Sequence, residues 1–169
     1  MFNRILLILI FLLSFFSASS VVSAAPGYPV KVFFSKTNAV DFYDLGAVNR
    51  ISPTLAVGTY AVEEVVKGPT ASERNRGLFS QLHYNINGPS DCSGQNYIGG
   101  SDFLLNINSG KATIRFCRMI SSAGTGDDAR ITMEIRKTLL QFSSVQKVVI
   151  LTKSGNCFGD MSGMNMCLK

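Results

Sequence analysis

The sequence predicts an α+β protein: a single domain with a mixed sheet, two main helices packed on one face, and a C-terminal tail closed by a disulfide. Three observations carry this. Phe103, Leu105 and Ile107 alternate with Leu104, Asn106 and Asn108, and Ala112, Ile114 and Phe116 alternate with Thr113 and Arg115, the two-residue period of paired strands. Ile131, Ile135, Leu139 and Phe142 recur at spacings of 4, 4 and 3, one stripe of a helix. Val148-Val149-Ile150-Leu151 is a continuous apolar run, the pattern of a central strand.

Taken in order, Val30 to Ser35 is rich in β-branched and aromatic residues and is predicted as the first strand. Residues 36 to 46 connect it to a short strand, Val48 to Ile51, stopped by Pro53. Thr59 is placed to cap a helix from Tyr60 to Lys67. Its stripe is Val62, Val65 and Val66, and Gly68 and Pro69 end it. Thr70-Ala71-Ser72-Glu73 is a capping box, so one or two helical turns follow to about Gly77, with Leu78, Phe79 and Leu82 packing inward. Asn85 to Gly100 is polar with five Gly/Pro residues and reads as an exposed loop. Asn108-Ser109-Gly110 is hairpin turn chemistry between the alternating strands. Asp127 and Asp128 open the next helix, and Arg136 and Lys137 sit toward its end, as the helix dipole favours. A sheet with helices on one face buries these stripes most simply.

The chain has 169 residues, 46% hydrophobic and 16% charged, which fits one domain and excludes a charged disordered chain. It opens with Arg4, an apolar segment from Ile5 to Phe16 interrupted by Ser14, and small residues up to Ala24-Ala25-Pro26. These are the three parts of a secretory signal. Cleavage is expected after Ala24, making residues 1–24 a signal peptide and 25–169 the domain. The alternative is an uncleaved anchor over Ile5 to Val22. Without Arg4 the basic residues number 15 against 11 acidic ones, spread along the chain with no run of adjacent Lys/Arg and no Trp. That is not the footprint of a nucleic-acid binder.

An even cysteine count in an exported protein reads as disulfides. Cys157 and Cys167 enclose a short Gly/Met/Asn loop and are expected to close on each other, which leaves Cys92 with Cys117. The alternatives are other pairings, free thiols or a four-Cys metal site. The intervening spacings of 24, 39 and 9 contain no CxxC knuckle, so no metal is assigned. Cys117 is out of phase with Phe116, as a bond to a covering loop requires.

The order of elements carries further landmarks. They are Val30-Lys31-Val32-Phe33-Phe34, then Ala61 to Thr70 with its helix-Gly-Pro-Thr junction and Gly77-Leu78, then the hairpin Asn106 to Phe116, the helix Ile131 to Phe142 and the strand Val145 to Leu151. Together, over about residues 29 to 155, they resemble the GerMN domain, the sporulation and spore germination domain. The resemblance implies an α+β module on the outer side of a bacterial membrane, with binding or assembly roles and no established catalytic residues to carry over. The chain departs from many members in lacking a lipid-attachment cysteine at the leader junction, and it adds the polar insertion Asn85 to Ser101.

The remaining chemical vocabulary is thin. With a single His, no two-His zinc site exists. His83 needs a nucleophile and an orienting acid that no local motif supplies. Glu63 and Glu64 diverge by about 100° on a helix and read as a solvated face. Asp127 and Asp128 read as helix N-terminal charge. Asp91, Asp102 and Asp160 lack calcium-loop spacing and read as turn residues. Gly94 to Gly100 and Gly124 to Gly126 lack a phosphate-loop ending. Met161, Met164 and Met166 in the tail read as surface packing rather than soft-metal capture. The expectation is a secreted, non-enzymatic binding or assembly module without cofactor, contacting an envelope protein or cell-wall polymer, with oligomers possible. The alternative is a small secreted hydrolase using His83 and an Asp. A carboxylate within reach of His83 would favour the hydrolase.

Overall fold

The computed structural model describes residues 27–92 and 101–169. The expected signal peptide, residues 1–24, and residues 25 and 26 lie outside the described residues, as do residues 93–100 of the polar loop; Tyr28 and Pro29, expected in a flexible lead from Ala25 to Pro29, belong instead to the first strand.

Strand β1 (Tyr28–Lys36) pairs antiparallel with β2 (Leu45–Ser52), from Tyr28 opposite Ser52 to Ser35 opposite Leu45. β2 is longer than its β-branched core suggests. Its start is set from outside, because the Asp41 carboxylate accepts from the amides of Tyr43 and Asp44, 2.8 and 3.0 Å, and Lys36 pairs with Asp44. This turn brings Leu45, Gly46 and Ala47 into register although none is a strong strand former.

Helix α1 (Val57–Lys67) begins before the expected cap. Thr59 lies within it, and Ala56 at the cap position makes no side-chain bond. Its apolar stripe is Ala61, Val62 and Val65, all fully buried. Gly68 then turns out at φ 79°, and its amide bonds back to the carbonyls of Glu64 and Val65. The capping box forms as the sequence predicts: Thr70 and Glu73 bond each other's amides around the one-turn helix α2 (Ala71–Arg74). β3 (Leu78–Phe79) then lies against the far side of β1, and Ser80 caps α3 (Gln81–Asn85).

The first residues of the expected polar loop are ordered instead. β4 (Ile86–Asn87) pairs with β7 (Met119–Ile120), because two separated segments complete each other's backbone bonds. β5 (Phe103–Asn108) and β6 (Lys111–Phe116) form the hairpin, and Ser109 and Gly110 both have positive φ, 48° and 77°. Those angles suit the right-handed twist of the flanking strands. The chain then crosses through α4 (Thr125–Leu140) to β8 (Lys147–Leu151), which pairs parallel to β6. β8 is not central. The order is β5-β6-β8, and the apolar run is explained by cover on the outer side: Phe158 N–H bonds to Ile150 C=O, 2.9 Å, and Leu151 bridges to Cys157.

The strands therefore form three small sheets, β2-β1-β3, β4-β7 and the mixed β5-β6-β8. One core joins them. Phe34 and Val32 of the first sheet, Ile114 and Phe116 of the third, Val62 and Val65 of α1, and Ile131, Ile135 and Leu139 of α4 belong to a single buried cluster.

α4 does more than cover this core. β1 pairs with β3 only at Ser35 and Lys36, so most of that edge has no neighbouring strand. Two side chains of α4 and that of Gln141, the residue that caps its C-terminus, stand in for one. The Gln141 amide accepts from Lys31 N–H at 2.7 Å and donates to Lys31 C=O at 2.6 Å. Thr138 Oγ1 accepts from Phe33 N–H at 3.2 Å. Glu134 Oε1 accepts from the amide and hydroxyl of Ser35, 3.2 and 2.7 Å, and from Gln81 N–H at 2.9 Å. Glu134 Oε2 accepts from Leu82 N–H, 3.2 Å. Glu134 and Thr138 are fully buried. Burial pushes the Glu134 carboxyl up from its ordinary value, against the downward pull of these donors.

Thr138→Val preserves volume but strips Phe33 N–H of its acceptor. Urea unfolding is expected to show a loss of about 1–3 kcal/mol. Glu134→Gln is expected to cost more, because a donor then faces donors. Unchanged midpoints in both variants would exclude the ladder as a stabilising element.

Candidate functional site

The charged residues singled out in the sequence are mostly engaged in holding the fold. Glu64 is not a solvated residue. It bonds Arg50 Nε at 3.0 Å and Lys67 Nζ at 2.8 Å, while Glu63 is half-buried without sharing that site. Arg50 also grips Glu73 through two parallel bonds of 2.7 Å. This clamp ties β2 to α1 and α2. The Arg50 guanidinium holds the Glu73 carboxyl down at about 2. Asp127 sits in the first turn of α4 and accepts from Ala123 N–H and Asn85 Nδ2, 2.9 and 3.3 Å. Asp91 pairs with Arg115, and Asp102 pairs with Arg118. Asp160 accepts from Ser162 and Asn165 within the tail, which lowers its pKa.

His83 is exposed, and its Nδ1 donates to Val66 C=O at 2.8 Å. Among the described residues no carboxylate lies within hydrogen-bond reach of it. The acid–base pair of the hydrolase alternative is therefore not assembled at His83.

Cys92 is joined to Cys117 and Cys157 to Cys167, with Cα separations of 5.5 and 5.9 Å. The thiolates a metal would need are thereby consumed, including those beside Asp91. The first bridge fastens the far end of the segment leading into residues 93–100 to the end of β6. The second closes the loop carrying Met161, Met164 and Met166, all exposed.

The second bridge also lies next to a concave surface. A groove of about 320 Å³ runs between the β1–β2 turn, the first half of α4 and the start of the tail. Phe42 and Tyr43 come from the turn, Asp128, Thr132 and Met133 from α4, and Phe158 from the tail. Phe158 sits directly after Cys157 and packs edge-on against Phe116, with centroids 6.3 Å apart. The Arg130 guanidinium lies 4.9 Å from the Phe42 ring centroid and steadies it. Tyr43 remains 69% exposed. The groove lining combines aromatic rings with three hydroxyl-bearing side chains, Tyr43, Thr125 and Thr132, and one carboxylate, Asp128. None of these residues formed a motif in the sequence. The turn, the helix and the tail are far apart along the chain, and the one local signal that could have pointed to the site is the Phe42–Tyr43 pair within the connection 36 to 46, which the sequence reading passed over.

No protein-family model matches the chain, and no curated protein matches it. Among solved structures it is similar to the tandem GerMN domains of the sporulation protein GerM from Bacillus subtilis, at 17% identity over 84% of this chain and with a TM-score of 0.48. It is also similar to a protein named as a lipoprotein from Clostridium perfringens, at 14% identity over 77% of each chain and a TM-score of 0.36. The chain spans 47% of the tandem-domain structure, about half its length.

Glu73 gives a pH signature. Its depressed pKa contributes stability that is present above its ordinary value of 4.5 and is lost as pH falls toward 2. The raised pKa of Glu134 acts in the opposite sense, so the difference between variants is the informative quantity. Glu73→Gln is expected to flatten the fall in unfolding midpoint across that window, and parallel curves for the two proteins would disprove the assignment.

Opening the second bridge with Cys157→Ser and Cys167→Ser together is expected to cost about 3 kcal/mol by loop-closure entropy. It should also make the tail after Leu151 the first site of limited proteolysis. A tail as resistant as in the parent protein would show that the bridge does not hold it.

Proposed function

We propose that the protein is a secreted, non-enzymatic module of the bacterial envelope that binds an envelope protein or a cell-wall polymer through the Phe42–Tyr43–Phe158 groove. The reading takes residues 1–24 as a cleaved signal peptide and 25–169 as the working domain. The two disulfides support an oxidising compartment. No helix among the described residues is long and apolar enough to cross a membrane. The observation that carries the proposal is the groove itself. It presents a largely exposed aromatic side chain on a bridged, rigid frame whose charged groups are mostly spent on structure. Exposed aromatic rings gain most from being covered, and the hydroxyl and carboxylate groups around them orient what covers them.

Binding to isolated cell-wall polymer and to immobilised envelope proteins tests this. Retention is expected on one of the two, with a drop of about tenfold or more for Phe42→Ala combined with Tyr43→Ala, the size of an aromatic hot spot. Retention should be unaffected by His83→Ala, and no soluble polymer fragments should appear. Fragments whose release depends on His83 would replace this reading with the hydrolase, and equal retention of the aromatic double variant would move the contact away from the groove. An intact mass starting at Met1 would refute the cleavage.

A further inference from the structure

The side-chain ladder on β1 fixes which way every backbone group of β2 points. The N–H groups of Lys31, Phe33 and Ser35 face α4, away from β2. The even-numbered residues of β1 therefore bond β2, through the pairs Val30–Arg50, Val32–Val48 and Phe34–Gly46. It follows that Leu45, Ala47, Asn49 and Ile51 turn their N–H and C=O groups outward. β2 is the last strand of its sheet. Among the described residues only two of these outward groups have partners: Leu45 N–H bonds to Tyr43 C=O, and Asn49 C=O accepts a 3.3 Å contact from Arg50.

Open edges are usually blunted by lysine, proline or a bulge. β2 has none of these within Leu45–Ser52. Its one charge, Arg50, is turned to the core face and held by Glu64 and Glu73. The solvent-facing side chains Ala47, Asn49 and Ile51 are uncharged and exposed, Ile51 by 61%.

We infer that this edge pairs with the same edge of a second copy, antiparallel about a twofold axis at Val48. In this register Ala47 lies opposite Asn49 of the other copy and Leu45 opposite its Ile51. All are residues whose backbone groups point outward, as the hydrogen-bond pattern demands; Leu45 N–H keeps its bond to Tyr43 C=O, so the outer pairs join through Leu45 C=O and the N–H of Ile51. The pairing of β1 with β2 extends each contact into a row across both molecules. Lys31 and Asn49 continue into Ala47 and Phe33 of the second copy, and Pro29 and Ile51 continue into its Leu45 and Ser35. No row sets like charges side by side. The half-buried Leu45 and exposed Ile51 become cross-strand partners, which is where such pairs contribute. The result is a continuous six-stranded sheet, β3-β1-β2 and its twofold mate. A partner that is a second copy follows from this self-complementarity: a charge-free edge meets itself without penalty.

The purified protein tests this without knowledge of any ligand. Light scattering across about 1 to 500 µM is expected to show the mass rising toward twice the monomer, as for a small, weak interface. Amide exchange at Ala47, Asn49 and Ile51 should slow with concentration, while Val48 and Arg50, already bonded to β1, should not respond. Ala47→Lys places like charges diagonally across the axis and should hold the protein monomeric with an unchanged unfolding midpoint. Ala47→Glu should do the same alone, and mixing the two variants should restore the doubled mass. A constant monomer mass, a dimer that survives Ala47→Lys, or outward amides protected equally at every dilution would each overturn the inference. The last would mean that the chain covers its own edge. These outcomes are independent of the groove.

Discussion

Strand β1 has hydrogen-bonding groups on two sides and, for most of its length, a neighbouring strand on only one. A buried strand edge left without partners costs far more than a typical net hydrogen bond contributes. The molecule resolves this with Glu134 and Thr138 of α4 and with Gln141 at its C-cap, spaced so that each meets an alternate residue of β1. Two periods coincide there: successive outward amides of a strand lie nearly 7 Å apart, and side chains three or four residues apart on a helix lie about 5–6 Å apart. Much follows from this match. It places α4 beside β1, brings the α3 N-terminus onto the same carboxylate, and lets one helix cover two sheets that do not pair with each other.

The charged groups show the same economy. Arg50 joins β2 to two helices through Glu64 and Glu73, and the two disulfides fasten the ends of the β6 and tail segments. The groove is built from what remains: aromatic rings on a turn and a tail, mounted on rigid elements. Recognition surfaces are commonly made so, with the frame supplying precision and the loops supplying contact.

Legibility in the sequence followed the distance over which each feature is encoded. The hairpin could be read because Asn108-Ser109-Gly110 supplies the required backbone angles within three residues. The capping box could be read because Thr70 and Glu73 satisfy each other locally. The start of α1 and the length of β2 could not, since Ala56 has no cap to read and Leu45-Gly46-Ala47 enter the sheet only because β1 is there to pair with. β8 looked central because a run buried on both faces has the same composition whether a strand or a bridged tail covers its edge.

Glu134, Thr138 and Gln141 lie one position before the apolar stripe Ile135, Leu139 and Phe142, at the same helical spacing, so a second, polar stripe was present in the letters. Its meaning depends on which strand edge the helix meets, and no local pattern states that. The sequence by itself determined the strand and helix periods, the turns and the placement of cysteines near elements that a bridge could join, because those are set by side chains within a few residues of one another. Only the tertiary structure decided which edges are closed, which charges are spent and where Phe42, Tyr43 and Phe158 meet, because burial and partnership are properties of segments brought together from opposite ends of the chain.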